Sequence, residues 1–407
     1  MLKLSDPLLW VSVGGLLVIG FLAIFSTTFR MQLRIGVDPL IFVKRHFISF
    51  IVAAVGAGIF TYLDYKHLRK AAPYFYAGVL LLLVLILFSG SSASGAQRWI
   101  GLGPFSFQPS EISKLALIIV LSSFLNGRRK INSVWEAAGF ISMVGLPFLL
   151  IFKQPDLGTA LSFLAILIGM LAASDASPKL LILLVTPFIS LLLRPFFYLW
   201  IVYLIIVAGA LFLSRAKTWD WILILGINIG VGIALPFLWS MLKGYQRMRI
   251  TAFLNPAADP FGAGYHTLQS KIAIGSGGFF GKGFLQGTQT QLQFIPEQHS
   301  DFIFSVVGEE FGFVGAVVVL GLFGVFISRA LIIAVQARDY FGRMLASGIA
   351  SMTIFHVLAN LGMAVGLLPV VGIPLPFLSF GGSSLFMNIA AVGILQSIAM
   401  RRQKLLF

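Results

Sequence analysis

Residues 8–28 read LLWVSVGGLLVIGFLAIFSTT, from Leu8 to Thr28, without one charged side chain. A bilayer hydrocarbon core of about 30 Å asks for a run of this length in a helix rising about 1.5 Å per residue. The apolar residues are continuous and do not alternate, so the two-residue period of a barrel strand is absent. In lipid only helices and closed barrels satisfy their own backbone amides, and the run is therefore read as a spanning helix. It follows a single Lys3 and shows no small-x-small cleavage pattern, which marks a first span and not a removed signal peptide.

The same texture recurs along the chain. Apolar runs lie near residues 46–64, 73–90, 110–126, 136–152, 157–174, 179–193, 196–213, 221–240, 301–328, 343–367 and 379–399. Of the 407 residues, 58% are hydrophobic and 11% charged, a balance that a soluble core cannot bury. The expectation is an all-α polytopic membrane protein forming a single transmembrane domain over 1–407. The pair 179–193 and 196–213, split by Arg194-Pro195, reads either as two short spans or as a re-entrant hairpin.

Charge sets the expected orientation. With the N-terminus inside, 16 Lys and Arg fall in cytoplasmic segments and 7 in the short outer loops. Both termini are thus expected in the cytoplasm. The net charge of +15 fits anchoring beside anionic lipid, and no nucleic-acid partner is expected. Cysteine is absent, which excludes disulfides, thiolate chemistry and Cys-ligated metals.

One segment departs from the short connections. Residues 241–300 form a long stretch rich in Gly and polar residues, placed outside by this topology. Phe253-Leu254, Phe279-Phe280, Leu285 and Phe294 suggest that it packs on the membrane domain. Within it, Arg247-x-Arg249 precedes Asn255-Pro256-x-x-Asp259-Pro260-x-Gly262-x-Gly264-Tyr265. Asp259 fits a turn former, since Asp-Pro favours turns; the basic residues nearby suit a carboxylate kept ionised beside phosphate oxygens. The Gly275–Gly283 stretch resembles a phosphate loop only faintly, with Ser276 where the first Gly belongs and Gly283 in place of Ser/Thr.

Polar groups at the expected outer ends of spans form the second set of candidates. Gln108-Pro109-Ser110-Glu111 opens the fourth run, and Glu111 and Lys114 share a helix face. Either they pair inside a capped helix start, or Lys114 faces a cavity as a cation for an anionic substrate. Asp156, in Gln154-Pro155-Asp156-Leu157-Gly158, caps a helix or joins that site. Two further stripes, Asp301/Ser305/Glu309 and His356/Asn360, read as interhelical glue, above all the second.

Taken together these motifs resemble the SEDS (shape, elongation, division, sporulation) proteins. The resemblance rests on Arg98-Trp99-Ile100, Phe107-Gln108-Pro109-Ser110-Glu111 with Lys114, Gln154-Pro155-Asp156-Leu157-Gly158-Thr159, and Asp259-Pro260-x-Gly-x-Gly-Tyr265-His266. Pro296-Glu297-x-His299-x-Asp301 and Gly372-Ile-Pro374-Leu-Pro376 extend it over essentially the whole chain. Gly281-Lys282-Gly283 and Gly287-Thr288-Gln289 favour the rod-shape-determining branch over the division paralogue. The family core has ten spans, so residues 177–215 look like an inserted helical hairpin.

The resemblance implies a peptidoglycan glycosyltransferase acting on lipid II at the extracytoplasmic face of the bacterial inner membrane. It also implies a class B penicillin-binding protein as partner. By motif position Asp259 carries over as catalytic. Glu111, Lys114 and Asp156 carry over as functionally important, and Arg98, Lys114 and Arg249 suit the donor diphosphate. No cofactor is implied with certainty; a divalent cation would suit the diphosphate, but no ligand cluster compels one. The alternatives are a lipid II flippase or a noncatalytic scaffold for the crosslinking partner. Charges gathered at outer ends fit surface chemistry better than the midplane sites of transporters.

Overall fold

The computed structural model describes residues 5–89, 91–93, 96–102, 105–127, 134–154, 156–176, 178–213, 217–242, 244–254 and 263–402. A helix accompanies each apolar run. They are α1 (Pro7–Arg34), α2 (Ile41–Tyr62), α3 (Lys66–Ser89), α4 (Pro109–Gly127), α5 (Val134–Lys153) and α6 (Leu157–Ala173), then α7 (Pro178–Leu193), α8 (Phe197–Leu213) and α9 (Thr218–Met241). After three shorter helices come α13 (Ile303–Val335), α14 (Tyr340–Ala364) and α15 (Gly382–Met400). Eight are long and apolar enough to cross a membrane, and α5 to α8 contribute four shorter apolar stretches. The chain is a polytopic helical membrane protein.

Burial sorts these helices into layers. The apolar windows of α15, α14 and α4 are 89%, 72% and 72% buried, against 17% for α2 and α9. The first three make the centre, and the outer helices turn apolar side chains outward, as lipid contact allows. Small residues set the closest crossings. Gly393 of α15 meets the Ala57 backbone of α2, and a Cβ there would sit 2.5 Å from the Ala57 carbonyl oxygen. At one end of the bundle the Asp6 backbone exchanges two 2.8 Å hydrogen bonds with the Gln396 side chain. The start of α1 and the end of α15 therefore lie on one side.

The segment 177–215 folds as α7 and α8, and these pack with α9 through a buried polar ladder. Trp200 Nε1 donates to Ser190 Oγ at 2.7 Å, Ser190 Oγ donates to the Asn228 carbonyl at 2.9 Å, and Asn228 Nδ2 donates to Thr186 Oγ1 at 3.0 Å.

Two connections hold structure on which the sequence reading was silent. The described residues between 91 and 107 form a small antiparallel meander of β1 (Ser91–Ala93), β2 (Ala96–Leu102) and β3 (Phe105–Phe107). Ile100 stands opposite Phe107 in its register. A strand ladder satisfies backbone groups of such a connection as well as a helix does. The stretch 241–300 is largely helical, with α10 (Gly244–Leu254), α11 (Ala263–Ser276) and α12 (Thr288–Gln291). Of the expected anchors, Phe279 packs on the membrane domain, stacked at 5.6 Å on Phe313 of α13, while Phe280 stays 79% exposed. Phe284 makes a further contact, stacking at 6.1 Å on Phe25 of α1.

Gly312 explains much of this. Its φ of +65° and ψ of −157° break α13 near its start, a conformation that glycine adopts without Cβ strain. The glycine-rich 277–283 segment lies along the break. Phe313 N donates to Gly278 O at 2.9 Å, and Lys282 N and Gly283 N donate to Glu309 O and Glu310 O at 3.0 Å. A Cβ on Gly277 or Gly281 would overlap the backbone of Gly308 or Glu310. These glycines thus serve a backbone-to-backbone approach and not a phosphate cradle.

Candidate active site

The polar ends of α4 and α6 come together through the side chains of Gln108, Ser110 and Asp156. Pro109 opens α4, where its missing N–H costs nothing. Gln108, just before it, donates its backbone N–H to Ser383 Oγ at 2.9 Å, which ties α4 to the start of α15. Asp156 is the N-cap of α6, and its Oδ1 accepts the Thr159 N–H at 3.2 Å. Its Oδ2 accepts from Thr159 Oγ1 at 3.0 Å, Gln108 Nε2 at 3.3 Å and Ser110 Oγ at 3.4 Å. The capping reading of Asp156 is thus what the geometry shows, and the same carboxylate draws Gln108 and Ser110 at the start of α4 toward α6. Gly158 allows the approach: a Cβ there would meet Ile373 Cγ1 at 2.7 Å.

One turn deeper, Glu111 Oε1 accepts from Lys114 Nζ at 2.9 Å, with side-chain exposures of 5% and 2%. Lys114 Nζ also lies 3.3 Å from His356 Nε2 of α14, which in turn lies 3.2 Å from Ser162 Oγ of α6. The cation is thus held inside the bundle and not on an open outer surface. Desolvating two such charges costs several kcal/mol per ion, offset only by close pairing, so the pair is weak evidence of stability. Glu111 Oε2 and His356 Nδ1 have no hydrogen-bond partner among the described residues.

A second polar node lies at the break in α13. Glu309 is fully buried and accepts at Oε1 from Lys282 Nζ at 2.9 Å, Gln289 N at 2.9 Å and Thr288 Oγ1 at 3.1 Å. Its Oε2 accepts from Thr290 N at 2.9 Å and Thr290 Oγ1 at 2.8 Å. Glu310 accepts from Ser26 of α1, which crosses to the other side of the same loop. Ser305 bonds Ser270 of α11 at 2.6 Å. The acidic stripe thus braces the 277–291 segment and α11. Asn360 fits the glue reading, donating at 2.8 Å to the Asp301 and Ile373 carbonyls. His356 fits it too, joining Lys114 of α4 and Ser162 of α6 through Nε2.

Asp259 lies outside the described residues. The backbones of Arg98 and Arg249 lie in β2 and α10, while their side chains are likewise outside the described set. Sequence reasoning missed His356, Ser162 and Ser110 as members of the site. The available signal was a lone imidazole in the apolar run 343–367, the kind of intramembrane ionisable group that carries function. Among the described residues no three His, Asp or Glu side chains converge as metal ligands. Asp156 and Glu309 accept from amides, hydroxyls and a lysine, and Glu111 is held by Lys114, so these residues do not form a metal cradle.

Similarity to known proteins completes the picture. The model of the FtsW/RodA/SpoVE cell cycle proteins matches residues 7–203 and 191–404. The chain belongs to the FtsW/RodA/SpoVE family. Among relatives, the peptidoglycan glycosyltransferase MrdB of Escherichia coli K12 is 40% identical over 335 residues, covering 82% of this chain and 79% of that protein. The peptidoglycan glycosyltransferase RodA of Treponema pallidum is 37% identical over 435 residues, with 98% of each chain covered. A solved chain described under the structural coordination of polymerization and crosslinking by a peptidoglycan synthase complex has a TM-score of 0.72 and 30% identity, again with 98% of each chain covered. The FtsW/RodA/SpoVE fold thus extends over both the polar cluster at α4 and α6 and the Glu309 node.

Proposed function

We infer that this chain is a peptidoglycan glycosyltransferase that polymerises lipid II into glycan strands during cell elongation. The observation that carries the inference is the similarity to RodA over 98% of both chains and to MrdB over 82% of this one, both named peptidoglycan glycosyltransferases. The buried polar cluster where α4, α6 and α14 meet supports it, since a mere anchor needs no desolvated Lys, Glu and Asp. Both termini lie in the cytoplasm, as the Lys and Arg bias favours, which puts residues 241–300 on the extracytoplasmic face.

In this reading the Asp259 carboxylate takes the proton from the acceptor sugar 4-hydroxyl. The freed oxygen attacks the donor C1, the C1–O bond to the diphosphate breaks, and the lipid diphosphate leaves with inversion at C1. One carboxylate suffices for this displacement, whereas a covalent route asks for two. Arg98, Arg249 and Lys114 bind the oxygens of the donor diphosphate from the ground state onward. Lys114 spends two of its three N–H groups on Glu111 and His356, so one remains for a substrate oxygen. Glu111 and Asp156 hold the ends of α4 and α6 in place around it. The fold's apolar flanks accept the lipid tail.

The chain pairs with a class B penicillin-binding protein, as the polymerisation and crosslinking complex of its structural relative suggests. The test uses purified protein and lipid II in detergent, where translocation has no meaning. Wild-type protein forms glycan polymer, and Asp259→Asn or Asp259→Ala inserts normally but polymerises about 10²–10⁴-fold more slowly. Full polymerisation by either variant removes Asp259 from the reaction. Absence of polymer from the wild type, alone and with its partner, favours a flippase or scaffold.

A further inference from the structure

We propose that His356 is a positioning residue for Lys114: through an unprotonated Nε2 it fixes the ammonium so that its third N–H faces the donor diphosphate. The inference rests on the reading of Lys114 as a substrate-binding cation and deepens it.

Proton counting carries the first step. A lysine ammonium has three donors and no lone pair. Lys114 Nζ stands 2.9 Å from Glu111 Oε1 and 3.3 Å from His356 Nε2. A nitrogen facing an ammonium at that distance must present a lone pair, so the ring is neutral and its proton sits on Nδ1. An imidazolium, or the Nε2–H tautomer, would set N–H against N–H on a fully buried ring. The Ser162 hydroxyl is compatible, because its single proton serves either Nε2 at 3.2 Å or the Gly158 carbonyl at 2.9 Å.

Geometry carries the second step. Glu111 and Lys114 stand on the same helix, three residues apart. Their pair alone fixes the ammonium relative to α4 and leaves it free to pivot about one contact. His356 comes from α14 and Ser162 from α6, so the imidazole registers the cation against the other two walls of the cluster. His356 is fully buried, as is Ser162, and Lys114 is 1% exposed, so no solvent supplies the same restraint. Asn360, one turn away, shows what plain interhelical glue looks like here, with both amide protons on backbone carbonyls. Among the described residues His356 has no backbone partner.

Two measurements on the full-length protein in detergent test this. The first is ¹⁵N spectroscopy of labelled histidine, the chain having five, with His356 assigned by loss of its signal in His356→Gln. The wild type is expected to show a bare Nε2 and a protonated Nδ1. In Lys114→Met the proton is expected to move to Nε2, which then donates to Ser162. The second is steady-state polymerisation. His356→Phe keeps a ring but has no lone pair, and losing one charge-assisted acceptor raises KM for lipid II about tenfold while kcat changes less than about threefold. His356→Gln, whose amide oxygen can accept from Lys114, returns KM most of the way.

A protonated Nε2 in the wild type overturns the proposal. So does an unchanged KM in His356→Phe when Lys114→Met raises it, a result that leaves the reading of Lys114 standing. If Lys114→Met itself leaves KM unchanged, the donor-binding reading fails and the positioning role fails with it. Should His356→Phe not fold, the ring spectra of wild type and Lys114→Met still decide the matter.

Discussion

The Glu309 node offers the most quantitative handle on the fold around the site. Replacing Glu309 with Gln keeps the volume but leaves one acceptor oxygen for five donors that now converge on two. If the amide oxygen takes the Oε1 position, the new NH₂ group faces the Thr290 N–H, which loses its acceptor at about 1–3 kcal/mol. The Lys282 contact, 2.9 Å in the native pair, drops from charge-assisted to ordinary strength and gives up about 1 kcal/mol more. The total is about 3 kcal/mol, or roughly two decades in a local opening equilibrium. The loss is local, because the backbone bonds of Lys282 and Gly283 to Glu309 O and Glu310 O remain. Strain adds to the effect: Leu285, Gln293 and Glu297 hold φ of +64°, +60° and +50°, conformations that persist only where their surroundings enforce them. Hydrogen–deuterium exchange of the peptide over 284–294 is the assay. The Gln289 and Thr290 amides should exchange about 10²-fold faster in Glu309→Gln, with α14 and α15 unchanged. An acceleration below about threefold in a folded variant would show that the carboxylate does not hold this loop.

Three further outcomes follow from other parts of the molecule. Asp6→Asn removes the counterion that Arg329 grips through Nε at 3.0 and 3.2 Å, and should cost about 2–3 kcal/mol, less than a fully buried pair because Arg329 keeps some exposure; the thermal midpoint of the solubilised protein reads it. Gly232→Val drives a side chain into the Trp200 ring and breaks its bond to Ser190, so the α7–α9 unit should lose about 2 kcal/mol and the tryptophan emission should shift. His299 is packed between Phe42 and Phe380 at ring distances of 5.4 and 5.6 Å, and burial holds its pKa below the ordinary 6.5 despite the opposing pull of Glu297. Its neutral form is favoured by folding, so its contribution is present above pH 6.5 and is lost as pH falls toward the depressed value. The thermal midpoint should therefore drop on acidification below 6.5, and His299→Gln should flatten that slope.

The helices were legible residue by residue. The run at Leu8–Thr28 became α1 over Pro7–Arg34, and the run at 157–174 became α6 over Leu157–Ala173. The meander at 91–107 and the helices of 241–300 were not, because polar connections outside the apolar runs carry no such length rule. Of the pair Phe279-Phe280 only the first anchors, on Phe313, since adjacent aromatics look alike in sequence whichever one faces the bundle. Lys114 was found as a chemical candidate, but its setting was not: the sequence left a cavity-facing cation and an internal pair equally open, and packing shows the pair with Glu111 plus a contact to His356.

Sequence alone determined the class of the molecule, the places of its spanning helices and the motifs shared with the FtsW/RodA/SpoVE family. It could do so because a lipid solvent forces each span to satisfy its own amides within about 20 residues, which makes the decisive information local. Tertiary structure alone decided which polar groups share a site. Lys114 meets an imidazole 242 positions away, and Glu309 meets threonines and a lysine across a glycine break. Such pairings depend on helix crossings set by close contacts like Gly158 against Ile373, and no periodicity along one helix records them.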